Sequence, residues 1–267
     1  MHRVEPGVDL IASTVINRDG LRDYLRRIGV EDWVSDAGSD IEEIVEVMGR
    51  GCYMSFGTEL NPNLTRVRSS NAAFLDNLLG SGHGSVMHHA MVSFEFTNVS
   101  RVLTHELVRH QVGVAISQTS LRFLRLTDMG MWIPSCFADN PRAVAVFERH
   151  WEAAERDYAE LLSPEVLGFD IDDKDDPATF AIKKEVTSAA RRVAPIGVAT
   201  NIGWSCNIRA LRHVIEQRTS PAAEEEIRRV FTIVGRRAMR EWPALFEDYE
   251  EQPQAVGSVF HTERRKV

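Results

Sequence analysis

The sequence of 267 residues lacks the features of membrane, secreted and disulfide-rich proteins. It has no apolar run of eighteen residues, and its N-terminus lacks the basic-then-apolar layout of a signal peptide. Its three cysteines lie far apart without a Cys-x-x-Cys pair, which disfavours a disulfide framework and a zinc site. The Gly-x-Gly-x-x-Gly loop of doubly wound dinucleotide-binding sheets is also missing. We therefore expect a cytoplasmic protein that holds no metal and contacts no membrane.

Positive charge is scarce overall, because 31 basic residues are outnumbered by 39 acidic ones and the net charge is -8. Such a chain is a poor candidate for binding nucleic acid, since a basic surface supplies most of that affinity. The arginines are nevertheless concentrated in two stretches, residues 101–125 and 191–218. Local basic clusters on an acidic chain indicate small phosphorylated ligands.

Hydrophobic periodicity predicts an α+β fold that is rich in helices and has a small, mostly antiparallel sheet. Strands are predicted over residues 8–16, 89–97 and 197–206. Helices are predicted near residues 20–28, 40–51, 70–80, 101–111, 140–163, 177–192, 207–218 and 222–241. Residues 165–176, which contain five aspartates, predict an exposed loop. We expect a single domain over residues 1–250 and a polar tail over residues 251–267 that frays.

The first stretch that carries chemistry contains Arg109-His110-Gln111. Ser100 can cap the predicted helix, and His105 and Arg109 are four residues apart and so share one of its faces. The helix should end near Gln111, because Gly113 permits the chain to turn. A simpler interpretation is that basic residues here complement the helix dipole.

A possible phosphate site follows in Ser120-Leu121-Arg122-Phe123. Residues 112–125 are predicted to be a loop leading into an extended segment. Gln118, Ser120 and Arg122 alternate along that segment, so an amide, a hydroxyl and a cation would lie on one face. A phosphate suits this set of donors, although the solvated face of an edge strand gives the same pattern.

The second stretch predicts one helix over residues 207–218, with Asn207 as its N-cap. Its apolar positions form one stripe, which we expect to be buried: Leu211, Val214 and Ile215. Arg209 and His213 are four residues apart on another face, and Arg218 ends the helix. Other charged residues of the region are expected to lie on a solvated face: Arg212, Glu216 and Arg228.

Taken in order, these blocks resemble the signature of the flavin-dependent thymidylate synthases: Arg-His-Arg, a short spacer, then Ser-x-Arg-aromatic. Upstream segments of the family are matched by Gly51-Cys52-Tyr53-Met54-Ser55, Gly82-His83-Gly84-Ser85 and Ser100-Arg101. The family's second block is matched by Asn207, Arg209, His213 and Arg218, and an arginine ahead of a proline by Arg191 and Pro195. The resemblance covers roughly residues 50–130 and 187–230.

This resemblance implies the fold of that family and reductive methylation of dUMP at C5 to give dTMP. FAD would take a hydride from NADPH, methylenetetrahydrofolate would supply the carbon, and the sites would lie between subunits of a homotetramer. The implied nucleotide-binding residues are Arg109, Gln118, Thr119, Ser120, Leu121, Arg122, Arg191 and Arg218. The implied FAD-binding residues are Ser85, Arg109, His110, Gln111, Asn207, Arg209 and His213. Arg218 is also the implied catalytic residue, because a guanidinium beside N3 of uracil would stabilise the anion that activates C5.

The sequence departs from the family pattern at several positions. Gln111 stands in place of the second arginine of the signature, and His88 in place of a usual glutamate. Glu106 and Glu224 replace usual glutamines. Two alternatives therefore stay open: the same methylation of UMP in a modified-nucleoside pathway, or a non-catalytic protein that binds a nucleotide or flavin. No cysteine falls at a motif position of either arginine-rich stretch, and Cys206 is expected to be a small core residue, which disfavours a cysteine nucleophile.

Overall fold

A computed structural model describes residues 1–57, 66–173 and 179–264 of the chain. The chain divides into two compact units, each assembled from three segments. The first unit contains Met1–Gly7, Glu95–Arg109 and Ile116–Gly203. The second contains Val8–Phe94, His110–Ala115 and Trp204–Val267. The single domain expected over residues 1–250 stays a prediction.

Helices dominate the described chain, as the periodicity predicts. They are α1 Arg18–Arg27, α2 Asp40–Tyr53, α3 Asn71–Gly80, α4 Arg101–Leu107, α5 Ser135–Ala138, α6 Pro141–Leu161, α7 Pro164–Leu167, α8 Thr179–Ala190, α9 Ile208–Arg218, α10 Glu225–Glu241 and α11 Pro243–Phe246. Two short 3-10 helices cover Gly84–His89 and Arg191–Val193. The strands are β1 His2–Arg3, β2 Gly7–Ser13, β3 Met91–Ser100, β4 Val114–Gln118, β5 Gly130–Met131, β6 Ala199–Asn207, β7 Glu250–Pro253 and β8 Ser258–His261.

The largest sheet has four strands in the order β2-β3-β6-β4. The strand predicted over residues 89–97 is confirmed as β3, and its side chains alternate, with Val92, Phe94 and Phe96 buried. Strands β4 and β6 run antiparallel: Asn207 N–H donates to the Gly113 carbonyl at one end, and Thr119 N–H donates to the Asn201 carbonyl at the other.

The strands β3 and β6 each end in the residue that caps the following helix. The Ser100 hydroxyl accepts a hydrogen bond from Leu103 N–H at 3.1 Å, and the Asn207 side chain accepts one from Ala210 N–H at 2.8 Å. Both caps were predicted, because serine and asparagine satisfy N–H groups that the first turn leaves unpaired. The strand therefore fixes where each helix begins.

The helix predicted to reach Gln111 is shorter than expected, since α4 ends at Leu107. Arg109-His110-Gln111 consequently lies in the connection that follows it. Strand pairing explains why α4 ends early. Gly113 has a φ of +72°, and its carbonyl accepts a hydrogen bond from Asn207 N–H of β6. The residues before Gly113 must therefore connect the helix to the sheet.

The extended segment predicted through Arg122 is also wrong beyond Gln118, where β4 ends. The Ser120 carbonyl accepts hydrogen bonds from the N–H groups of Phe123 and Leu124, and the Ser120 hydroxyl accepts one from Arg122 N–H. Residues 120–124 therefore form a turn, and Ser120 and Arg122 do not alternate along a strand.

The first unit has its own apolar core around Trp151 and Tyr158 of α6, with Leu121 and Ile171 among its buried members. The loop predicted over residues 165–176 differs in its described part: it begins inside α7, and Ile171 is only 3% exposed. The start of the helix predicted over residues 177–192 lies outside the described residues. Strands β1 and β5 pair in parallel in this unit.

The second unit packs α9 and α10 around a core that includes Trp204 and Phe231, whose rings are 5.5 Å apart. The stripe predicted on α9 is confirmed, because its three members are each at most 1% exposed: Leu211, Val214 and Ile215. Cys206 is also in the core, as expected, and burial raises the pKa of its thiol well above the usual value.

The predicted polar tail is instead an antiparallel hairpin of β7 and β8. Phe260 is 1% exposed, and its N–H donates to the Thr219 hydroxyl. Ser258 N–H donates to the Thr232 hydroxyl of α10. The hairpin forms because these buried partners lie elsewhere in the unit. No helix among the described residues combines the length and apolarity needed to cross a membrane.

Arg212 is buried, which corrects the prediction that it is solvated. It is 2% exposed and donates to both carboxylate oxygens of Asp248, at 2.9 and 2.7 Å. Its guanidinium also donates to the Leu245 carbonyl and lies over the Tyr249 ring, 4.7 Å from the centroid. Tyr249 returns a hydrogen bond to the Arg212 carbonyl. These contacts attach the middle of α9 to the segment before the hairpin.

Replacing Arg212 by methionine should lower the free energy of unfolding by roughly 3–5 kcal/mol, because the Asp248 charge would stay buried without its partner. Urea unfolding followed by circular dichroism measures this. Arg22→Met is the matched control: its ion pair with Asp19 is exposed, and its loss should cost at most about 1 kcal/mol. Equal effects of the two substitutions would contradict a structural role for the buried pair.

Candidate active site

In the first unit, Arg122 and Arg191 both contact Ser188, and Arg101 lies near Arg191. Arg122 Nε donates to the Ser188 hydroxyl at 3.2 Å, and Arg191 Nε donates to the Ser188 carbonyl at 3.2 Å. Arg101 donates to the Thr119 carbonyl at 3.2 Å and lies close enough to Arg191 to sense its charge. The structure thus joins Arg122 and Arg191, predicted from separate blocks, and adds Arg101.

This arginine cluster (Arg101, Arg122 and Arg191) has the electrostatics of an anion site. Within the described part of the chain, none of the three forms an ion pair with a carboxylate. Burial and, second, the charge of Arg191 lower the pKa of Arg101. Arg101 Nε is buried without a hydrogen-bond partner among the described residues. A bound phosphate would relieve the repulsion between these cations.

Other residues predicted to bind the nucleotide lie close in sequence to Arg122. The Gln118 amide donates to the Thr104 hydroxyl at 3.2 Å, and the Thr119 carbonyl accepts from Arg101. Ser120 lies in the turn described above, and the Leu121 side chain is buried in the core. Leu121 can therefore contribute its backbone, as the resemblance implies, but not its side chain.

Arg109 lies in the first unit just beyond α4, with its side chain exposed. Its guanidinium is 3.3 Å from Nε2 of His105, so the predicted pairing across four residues is present although the helix has ended. This contact leaves the cation oriented and accessible.

The second unit brings together three of the residues predicted from distant blocks. Arg218 Nε donates to Nε2 of His110 at 2.8 Å. The rings of His110 and His213 meet edge to face, with centroids 5.9 Å apart. Burial, Arg218 and then His213 lower the pKa of His110 to about 4, so the ring is neutral near pH 7 and accepts from Arg218.

Asn207 is mainly structural in this arrangement. It is 3% exposed, and its side-chain oxygen caps α9. A Cβ on Gly113 would lie 2.1 Å from its Nδ2, so only glycine fits at that position. Gln111 is exposed in the same connection. The FAD contacts predicted for Asn207 and Gln111 stay predictions.

Arg209, in the first turn of α9, contacts a histidine outside the predicted set. Its Nη1 is 3.2 Å from Nε2 of His88, in the 3-10 helix Gly84–His89. The start of α9 is also tied to this segment through the backbone, since Ile208 N–H donates to the Ala90 carbonyl at 3.0 Å.

Ser85 lines a cavity of about 350 Å³ in the second unit. Two sequence motifs meet there, because Cys52, Tyr53 and Ser55 share the lining with His83 and Ser85. The Tyr53 and His83 rings are stacked, with centroids 6.1 Å apart. A cavity lined by aromatic rings, a hydroxyl and arginine side chains could hold part of a flavin nucleotide.

Sequence reasoning missed two residues that the structure adds to the candidate site, Arg101 and His88. Arg101 belongs to the first arginine-rich stretch and directly follows a cap, so its sequence position was a usable signal. His88 was visible only as a departure from the family pattern. No cluster of three or more His, Cys, Asp or Glu side chains arranged to hold a metal occurs among the described residues.

Comparison with known sequences gives one consistent match. A family profile described as thymidylate synthase complementing protein matches residues 34–244. Flavin-dependent thymidylate synthases from Mycobacterium marinum and Mycobacterium avium are 35% and 34% identical to the chain, each over 230 residues. Each alignment covers 86% of this chain and 88% of the relative.

Solved structures agree on the fold. A UMP/dUMP methylase, PolB from Streptomyces cacaoi, bound with 5-Br dUMP, matches with a TM-score of 0.62 and 18% identity, over 92% of this chain and 95% of that chain. Its structure with 5-Br UMP gives a TM-score of 0.61 and 16% identity, over 92% and 94%. At such identities the similarity is one of fold, and it confirms the predicted α+β architecture.

If the arginine cluster binds the phosphate of a nucleotide, removal of the Arg101 guanidinium should weaken the binding of dUMP, the test ligand, roughly tenfold, since a cation close to the phosphate is lost. Arg101→Gln is compared with wild type by calorimetry, with deoxyuridine as the ligand that lacks the phosphate. Arg125→Gln is the control, because Arg125 of the same unit is already paired with Asp172 at 2.8 Å. An unchanged affinity of Arg101→Gln for dUMP would remove Arg101 from the site.

His110 should titrate near pH 4 in the folded protein, and Arg218→Ala should raise this midpoint because a nearby cation is removed. Proton NMR of the imidazole measures both. Between its ordinary pKa of 6.5 and about 4, only the unfolded chain binds this proton. The contribution of His110 to stability is therefore full above that window and is lost as the pH falls through it. A midpoint near 6.5 would refute the assignment.

Proposed function

Because the chain belongs to the flavin-dependent thymidylate synthase family, we propose that it converts dUMP to dTMP by reductive methylation at C5. Membership makes it a flavin-dependent pyrimidine-nucleotide methyltransferase that methylates uracil nucleotides, with FAD as its flavin. As further parts of the proposal, methylenetetrahydrofolate supplies the carbon, NADPH supplies the hydride, and the protein is a homotetramer.

The observation that best supports the proposal is the arginine cluster of the first unit. Arg101, Arg122 and Arg191 are held near one another without carboxylate partners among the described residues, and Arg101 has an unpaired buried Nε. Burial of Arg101 beside the charge of Arg191 is unfavourable, and an anion bound by the exposed Arg122 and Arg191 side chains would offset it. The phosphate of a nucleoside monophosphate is the anion that fits the proposed substrate.

The donors of the second unit suit FAD. Ser85 offers a hydroxyl in the cavity with the Tyr53 and His83 rings, and Arg209 and His213 offer a cation and an imidazole on α9. These groups can bind a diphosphate and a ring system. When bound, FAD supplies the hydride chemistry, and the protein orients it and excludes water.

Arg218 is the residue that we assign to activation of the pyrimidine. C5 of uracil is a poor nucleophile, and a cation beside N3 and its neighbouring carbonyl stabilises the ring anion that makes C5 reactive. Arginine stays charged at any working pH, so Arg218 acts electrostatically and not as an acid or base. Cys206 is buried with a raised pKa, which disfavours a thiolate nucleophile.

UMP is a second candidate substrate. The similar structures are of a protein described as a UMP/dUMP methylase, bound with 5-Br dUMP in one and with 5-Br UMP in the other. The departures at Gln111 and Glu224 favour this candidate and also a non-catalytic nucleotide- or flavin-binding protein, because they distinguish the chain from the usual family pattern.

Anaerobic incubation of FAD-loaded protein with NADPH, methylenetetrahydrofolate and dUMP should add one methyl mass to the nucleotide. The same incubation with UMP tests the second candidate. Arg218→Ala is the matched control: it should abolish the mass gain and leave the absorbance of bound FAD intact, because Arg218 acts on the pyrimidine. A gain on UMP alone would move the substrate to UMP, and no gain on either nucleotide with flavin bound would refute the proposed methylation.

A further inference from the structure

Three arginines assigned to the candidate site share an uncommon partner, a histidine ring nitrogen. Arg109 contacts His105 at 3.3 Å, Arg209 contacts His88 at 3.2 Å, and Arg218 contacts His110 at 2.8 Å. Among the described residues, neither Arg109 nor Arg209 forms an ion pair with a carboxylate. A neutral imidazole accepts a hydrogen bond and orients the guanidinium, but it carries no charge to cancel.

Structural arginines of the same chain are paired differently. Arg50 and Arg212 are each 2% exposed, and each meets a carboxylate at 2.7 Å, from Glu46 and Asp248. The chain therefore has carboxylates available for holding arginines, and uses them where the cation serves packing. The histidine partners are found where we assign ligand binding.

From this contrast we propose that His88 is a positioning residue for Arg209: its imidazole orients the guanidinium and leaves the full positive charge for an anionic ligand, the diphosphate of FAD. The inference rests on the proposed function and extends it to a residue outside the predicted site. In this proposal His88 itself contacts neither substrate nor cofactor.

The local geometry supports FAD as the ligand of this pair. His88 follows Ser85 by three residues in a 3-10 helix, and side chains three apart in such a helix lie on the same face. Ser85 is the hydroxyl that we assign to the FAD phosphates. The backbone bond from Ile208 to Ala90 holds the first turn of α9 against this segment. The contact with His88 therefore directs Arg209 toward the face that carries Ser85.

The contact also fixes the tautomer of His88. Its proton lies on Nδ1, since Nε2 accepts from the Arg209 guanidinium, which can only donate.

Three substitutions of His88 separate orientation from charge. His88→Gln keeps a neutral acceptor, His88→Met removes the acceptor, and His88→Glu adds a carboxylate that would hold Arg209 more firmly. Loss of an exposed charge-assisted contact changes affinity by roughly tenfold, so we expect FAD to bind His88→Gln nearly as well as wild type and His88→Glu about tenfold more weakly. His88→Met should fall between them. His89→Gln, the adjacent exposed histidine, is the control.

Titration of each apoprotein with FAD, followed by flavin fluorescence, is the measurement, and circular dichroism checks folding. If His88 only held Arg209 in place for packing, the order of FAD affinities would be reversed, and His88→Glu would bind FAD as tightly as wild type or more tightly. That result would overturn the proposal. The cycle of His88→Met with Arg209→Met is a second test: the effect of His88→Met should vanish once Arg209 is gone, and an undiminished effect would also overturn it.

The outcomes distinguish this proposal from the function on which it rests. Wild-type protein that does not bind FAD would overturn both. Wild-type protein that binds FAD, together with His88→Glu that binds it equally well, would overturn the role of His88 and leave the proposed methylation standing.

Discussion

The arrangement of the site depends on two junctions at which a strand passes directly into a helix. Ser100 is the last residue of β3 and the cap of α4, and Asn207 is the last residue of β6 and the cap of α9. A cap side chain that belongs to a strand cannot shift without breaking the pairing of that strand. Sheet register therefore sets where each helix starts, and with it the position of the functional residues that follow.

Arginine side chains have two different roles in this acidic chain. Where arginine is part of the core it is fully paired: the Arg50 guanidinium donates to Glu46 and to the carbonyls of Ser55 and Arg68, so it joins segments that are apart in sequence. In the arginine cluster the cations are held by hydroxyl and carbonyl groups that leave their charge intact. A protein with a net charge of -8 can thus bind anions, because local fields and not the total decide affinity at short range.

Much of the fold could be predicted because its signals are local. The alternation of β3, the stripe on α9 and both caps depend on residues within a few positions of each other. The errors have distant causes. The end of α4 and the turn after Gln118 follow from pairing with residues about 80 to 95 positions away, at Asn207 and Asn201. The C-terminal hairpin looked polar, but its buried Phe260 and Ser258 find partners on other elements.

Most residues assigned to the candidate site were chosen from the sequence, with Arg101 and His88 as exceptions, but most of their contacts came from the structure. This difference bears on substrate choice. In the proposed function, the assigned cations recognise a phosphate and a pyrimidine, groups that dUMP and UMP share. A site rejects a ligand strongly when the ligand leaves buried polar groups unpaired, but it rejects an added hydroxyl by only about a hundredfold. Methylation of dUMP and of UMP therefore demands nearly the same residues. The choice between them rests on a few atoms around C2′ of the ribose, where a single small side chain or a polar partner for the hydroxyl is enough to change the substrate.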